Sequence, residues 1–242
     1  MPTVTYGKSQ IDFSIRRSSA RNTLEVAVDP EVGVVVTCPS NLSETMIEKA
    51  VLKKAPWILR KISHIGQIVL KPPEREYVSG ETYYYLGRGY RLKVIEDTSV
   101  HPYEVKLRNG RFQVRIPPIS SEHPREILVP SALRWWFQKK AEKRLEERVE
   151  WYSSRIGVEP AGLVVKNQMK RWGTCSKDNI VYLNWRVIMA PLSIVDYVVV
   201  HELVHVQAKD HSNEFWNRVS RVLPDYERRK EWLRINGPTL EI

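Results

Sequence analysis

The residues with the clearest chemical potential are His201, Glu202 and His205, in the stretch His201-Glu202-Leu203-Val204-His205. On a helix, residues four apart lie one turn above each other on the same face. Two imidazoles so placed can both reach one ion at the Zn–N distance of about 2.0–2.1 Å. Glu202 sits one position along, turned away from that pair and placed to accept a proton from water held on the ion. Neutral imidazoles leave Zn2+ enough positive charge to acidify that water. His211 follows six residues after His205, the offset at which a third histidine completes one class of such sites. That pattern has Gly where this chain has Ala208, so the turn into His211 falls to the Lys209-Asp210 pair. Three protein ligands with one open position make a catalytic site, not a structural one. Glu214, Glu227 and Glu231 stand as alternatives for the third ligand. The bland reading is a buried helix carrying incidental histidines, and three His and a Glu at these offsets weigh against it. His64, His101 and His123 stand singly and read as surface or loop residues.

The elements around these residues must position them. The run YVVVHELVHV is rich in β-branched Val, which favours strands. Ser193-x-x-Asp196 resembles a capping box and Pro191 fits a first turn, which favours a helix. A helix apolar almost all round is expected where it crosses a core, and Ser212 would cap the next helix. Upstream, residues 131–157 form an amphipathic helix with Trp136, Leu145, Val149 and Tyr152 recurring on one side, closed by Gly157. Short strands GLVVKNQ and NIVYLNWRVIM follow, joined through RWGTCSKD. Helices over SNEFWNRVSRVL and YERRKEWLR complete the chain.

The first half reads differently. IDFSIRR, TLEVAVD and GVVVTCP are strand-like, with turn signals at Asp29-Pro30 and Gly33. Residues 41–65 have helical spacing with a cap at Ser43, and Pro56 is expected to break or restart that helix. Strand-like ETYYYLG, YRLKVIED and RFQVRIP come next, with a hairpin turn at Asn109-Gly110. Pro117, Pro118 and Pro124 mark residues 117–125 as a linker. The expectation is an α+β chain. A β-rich N-terminal domain spans 1–125, with a helical insertion near 43–65, and a catalytic domain spans 126–242.

Composition bounds the rest. A 42% hydrophobic and 10% aromatic content, with eight Trp, is that of a globular protein and excludes the disordered class. Two distant cysteines, Cys38 and Cys175, fit a reducing compartment better than a disulfide framework. The first residues lack a signal peptide's apolar core, and no apolar run is long enough for a membrane span, so a cytoplasmic protein with no membrane partner is expected. A net charge of +10, spread over both halves, would suit acidic partners or nucleic acid, and would equally keep the protein soluble.

The run MKRWGTCSKDNIVYLNWRVIMAPLSIVDYVVVHELVHVQAKDHSNEFWNRVSRVLPDYERRKEWL resembles the YgjP-like metallopeptidase family, a relative of the SprT-like zincins. IRRSSARNTLEVAVDP, VVVTCPS, KKAPWI and YYYLGRGYRL extend the resemblance over nearly the whole chain. Its most specific pieces are the stretch Arg171 to Ser176 and the spacing of the histidine cluster. The resemblance implies a zincin fold, in which a long backing helix over 131–155 and a small sheet precede the active-site helix. It also implies zinc held by His201, His205 and His211, with Glu202 as catalytic base. Thr174 stands where the family more often has Ser, and both carry a hydroxyl.

These readings combine into a zinc-dependent hydrolase acting on a peptide or protein. Arg171 is the candidate second donor for a tetrahedral intermediate, or else a structural partner of some carboxylate. Trp172 and Trp185 read as core. The strand NIVYLNWR either offers an edge to an extended peptide or lies inside its sheet. Two alternatives remain. One is a zinc hydrolase of a nucleotide or phosphoester, although no Gly-rich phosphate loop is present. The other is a nucleic-acid-associated protease using Arg16, Arg17 and Arg21, although no helix-turn-helix or zinc-finger signature supports it.

Overall fold

Alternation along strand β2 (Ser9–Ser18) turns Ile11 and Phe13 inward, and the same pattern in its neighbours builds one apolar sheet face. The computed structural model of the chain describes residues 1–7, 9–29, 32–66, 75–122 and 124–242. Pro30 and His123 lie outside the described residues, as does the side chain of His64. The chain divides into two units, residues 1–70 and 71–242.

In the first unit β1 (Thr3–Tyr6), β2, β3 (Glu25–Asp29) and β4 (Gly33–Pro39) form a sheet in the order β1-β2-β4-β3. β2 and β4 run parallel and the outer pairs antiparallel. Helix α1 (Glu44–Gly66) lays Ile47, Val51, Ala55 and Ile58 on the same core. It runs unbroken through Pro56, against expectation. Pro56 is on the exposed side, so the carbonyl it frees faces water, while Val51, Ala55 and Ile58 anchor the helix on both sides of it.

The second unit opens with β5 (Thr82–Tyr85), β6 (Arg88–Glu96), β7 (Glu104–Arg108) and β8 (Arg111–Ile116), ordered β5-β6-β8-β7. Asn109 and Gly110 both have positive φ, 51° and 69°, and make the expected tight turn between β7 and β8. Helix α2 (Arg125–Ile156) starts before the prolines were expected to let it, and continues through Pro130 in its second turn. Gly157, at φ 73°, ends it by donating its N–H to the Ser153 carbonyl at 2.9 Å. The ring of Phe112 on β8 lies 4.9 Å from Trp136 and 5.5 Å from Phe137 on α2. Residues 82–116 and α2 therefore share one core within the second unit, residues 71–242.

A three-stranded sheet of β9 (Gly162–Lys166), β10 (Gly173–Cys175) and β11 (Ile180–Asn184) follows, in the order β10-β11-β9. β11 is thus the interior strand, and β10 holds an edge. A 3-10 turn over Trp185–Met189 leads into α3 (Leu192–Val204), then α4 (Asn213–Val222) and α5 (Tyr226–Asn236). Among the described residues no helix is long and apolar enough to cross a membrane.

The expected capping box is absent. Pro191 is the N-cap residue of α3, with no side-chain bond. Asp196 reaches across to α2 instead and accepts from Arg148 Nε at 2.7 Å. Both side chains are largely buried, at 19% and 12% exposure. Removing one member of such a pair strands the other charge in the interior. Arg148→Met is expected to lower the unfolding free energy by about 3 kcal/mol in denaturant titration, and adding Asp196→Leu to recover most of it. A single variant as stable as wild type would show that the pair contributes nothing.

Candidate metal centre

Between Ile194 and Val204, α3 has buried residues at almost every position. The β-branched run folds as a helix because its neighbours cover it on nearly every side, an environment that outweighs intrinsic preference. His201 lies in the last turn and His205 is the C-cap residue. Ala208 N then donates to the Val204 carbonyl at 2.9 Å, and the chain turns through Lys209 and Asp210. Asp210 Oδ1 accepts the Ser212 N–H at 3.3 Å. Lys209 Nζ donates to Asn179 Oδ1 at 2.5 Å, tying the turn to the β10–β11 connection. Ser212 occupies the N-cap position of α4, but its side chain makes no capping bond.

That turn carries His211 back over the helix. His211 Nε2 lies 3.0 Å from His201 Nε2. The ring centroids of His201 and His205 are 4.9 Å apart, and those of His205 and His211 are 4.7 Å apart. One nitrogen from each ring lies within 4.8 Å of the others. His205 Nδ1 is 3.0 Å from the Ala208 carbonyl. A carbonyl only accepts, so Nδ1 carries the proton and Nε2 keeps its lone pair for a ligand. The His201 ring is held by packing: Phe215 stands edge-on at 4.9 Å and Trp216 at 5.8 Å. Its Nδ1 is buried with no hydrogen-bond partner among the described residues. Burial pushes the His201 pKa down to about 3, reinforced by His205, His211 and Lys230, and burial also lowers that of His205. Neutral imidazoles are the ligand form, so this donor set fits a divalent ion such as Zn2+. The alternative ligands are occupied elsewhere: Glu214 pairs with Arg218, Glu231 with Arg234, and Glu227 accepts from the Tyr226 hydroxyl.

Glu202 is 6% exposed, and burial raises its pKa to about 8, with Arg171 pulling the other way. It lies against Gly173 of β10, where a Cβ would stand 2.5 Å from Glu202 Cγ and 2.7 Å from Oε1. Only glycine leaves room for the carboxylate. The three histidines, Glu202 and Arg171 line one cavity of about 370 Å³, together with Thr174, Cys175 and Lys209. Arg171 takes part in no ion pair among the described residues, and its charge acts on Glu202 across the cavity. Its backbone is fixed by Asn184, whose Nδ2 donates to the carbonyls of Gln168 at 2.7 Å and Arg171 at 3.0 Å.

A second cavity of about 250 Å³ shares Glu202, His201 and Arg171, and extends to Trp172, Tyr197 and Leu233. Trp185 is core, as expected, whereas Trp172 is only partly buried and lines this second cavity. Tyr197 and Asn184 are not singled out from sequence, and Gly173 is named only within the stretch Arg171 to Ser176 and Lys209 only as part of the turn into His211. Tyr197 could have been, since it precedes His201 by one helical turn on the same face. The other three act through contacts distant in the chain.

Three converging imidazoles beside a buried carboxylate, in an open cavity, have the make-up of a metal-binding centre in an α+β protein. Residues 22–236 match the profile described as YgjP-like, metallopeptidase domain. The chain belongs to the YgjP-like metallopeptidase family. Among solved structures it is similar to the metallopeptidase zymogen of Pyrococcus abyssi abylysin, at 23% identity and TM-score 0.35, over 38% of this chain and 92% of that one. It is similar also to the zymogen of Methanocaldococcus jannaschii jannalysin, at 20% identity and TM-score 0.34, over 38% of this chain and 94% of that one. Among curated proteins none matches the sequence.

Gly173→Ala forces the Glu202 carboxylate aside while leaving the three imidazoles in place. Peptide hydrolysis is expected to fall by about 100-fold, the usual effect of misplacing a reacting group by an ångström, with metal content unchanged by elemental analysis. Unimpaired hydrolysis would show that this contact does not hold Glu202 in place.

Proposed function

We propose that the chain is a zinc-dependent peptidase, with His201, His205 and His211 holding Zn2+ and Glu202 acting as general base. The observation that carries this reading is the approach of the three imidazole nitrogens to within 4.8 Å of one another in a cavity that Glu202 also lines. Zn2+ bound there supplies Lewis acidity, polarising the scissile carbonyl and acidifying water. Glu202 takes the proton from the attacking water and returns it to the leaving amine. Its burial strengthens it as a proton acceptor, and Arg171 keeps it from holding the proton too tightly. The Arg171 guanidinium donates to the oxygen on which negative charge develops. The edge strand β10 offers unpaired backbone groups beside the cavity, where an extended peptide can add as a further strand.

Glu202→Gln is expected to retain zinc by elemental analysis while casein hydrolysis falls by about 10²–10⁴-fold. His201→Ala and His205→Ala should lose the metal, and chelator should abolish activity that added zinc restores. Zinc-replete wild type that cleaves no peptide, or a Glu202→Gln variant at full rate, would overturn the assignment.

Arg171→Ala is expected to lower kcat by about 10²–10³-fold with little change in KM, because its donor matters only once negative charge develops. Partial rescue by Arg171→Lys would separate this role from a packing one. A change confined to KM would refute it.

A further inference from the structure

Along β6, β7 and β8, Leu92, Val105, Phe112 and Val114 turn into the core, so alternation sends Arg91, Lys93, Lys106, Arg108 and Arg111 to the opposite, solvent face. The register then sets like charges side by side. Arg91 pairs with Arg111 across β6 and β8, and Arg108 pairs with Arg111 across β7 and β8. Lys93 and Lys106 flank Gln113 in the next row. With neighbouring strands about 4.8 Å apart, three arginines stand abreast over about 10 Å. Like charges directly opposite on a sheet repel and destabilise it. The acidic groups nearby are committed elsewhere: Asp97 pairs with Arg115, and Glu104 with Arg115 and Lys106. Arg91, Lys93, Arg108 and Arg111 make no ion pair among the described residues. A cavity of about 350 Å³ opens on this face between Arg91, Lys93, Arg111 and the Ser79–Gly80 rim. That rim is fixed by Gly80 N donating to the Leu92 carbonyl and Val94 N donating to Ser79 Oγ, both at 2.9 Å.

We propose that this face of the β5–β8 sheet binds the phosphate backbone of double-stranded nucleic acid. Arg forks match phosphate oxygens bidentately, and a bound polyanion relieves the repulsion that the register builds in. The row continues past the cavity to Arg108 on β7, farther than a single phosphate group reaches. Single strands are held largely by stacking on aromatic platforms. Tyr84 is the one large aromatic of this sheet, among the described residues, that stands exposed. The net charge of +10 steers any such polyanion toward the protein. The proposal stands apart from the metal centre and does not depend on its chemistry.

The test is fluorescence anisotropy of the full chain with a labelled duplex of arbitrary sequence across a salt series. Four phosphate contacts predict a log K against log salt slope of about −3 to −4. Arg91→Gln with Arg111→Gln should reduce that slope by about 2 and weaken low-salt binding by about tenfold or more. Lys93→Gln with Arg108→Gln should do the same independently, with both variants keeping the wild-type circular dichroism and melting temperature. Arg16→Gln, in the first unit, should leave the slope unchanged. Wild-type duplex binding by both double variants overturns the proposal. So does binding to anionic phospholipid vesicles or an acidic peptide without duplex binding, or tighter binding to single strand than to duplex.

Discussion

Helix α3 is enclosed on nearly every side, and that enclosure governs the rest of the second unit. A helix with one wet face can rotate or slide to suit its polar residues. α3 has almost no such freedom, because ten of its residues from Ile194 to Val204 are buried. Each polar group on it must therefore be met by a neighbour brought to it or be left facing a cavity. Asp196 is met by Arg148 from α2. Glu202 is given space by the missing side chain of Gly173. His201 and His205 face the cavity, and the turn after the helix brings His211 to them.

The surroundings of the centre come from segments far apart in the chain, each held by a small number of directional bonds. Asn184, 2% exposed, ends β11 and holds the carbonyls of Gln168 and Arg171, bracing the approach to β10. Lys209 ties the turn before His211 to the other end of the same hairpin. Arg229 bonds the Ser193 carbonyl and Asp225, fastening α5 to the first turn of α3. These bonds connect two strands, one turn and one helix around α3 and the cavity beside it.

The two electrically distinctive regions of this unit work in opposite regimes. In the candidate metal centre, burial lowers the proton affinity of His201 and His205, which favours their ligand form, and raises that of Glu202. On the β6–β8 face, Arg91, Arg108 and Arg111 stand side by side in water, and among the described residues none of the three has an ion-pair partner. Desolvation shapes the first region and strand register the second.

Features set by neighbours in sequence were legible without coordinates. The His201, Glu202, His205 and His211 offsets, the Asn109-Gly110 turn and the closure of α2 at Gly157 all depend on a few consecutive residues. Misreadings arose where distant contacts outweighed local rules. Pro56 fails to break α1 because its flanking residues are anchored in a core built from four strands. Asp196 leaves its expected capping role because Arg148, 48 residues away, offers a buried partner. Residues 82–116 join α2 rather than the N-terminal sheet because Phe112 belongs to an aromatic cluster with Trp136 and Phe137. The edge position of β10, the space at Gly173 and the alignment of Arg91, Arg111 and Arg108 all arise from pairings between segments that a linear reading does not connect. The chain alone determined which groups were available and how they recur along each element. Which of them met was decided by packing and register, since these act through space between residues that the sequence keeps apart.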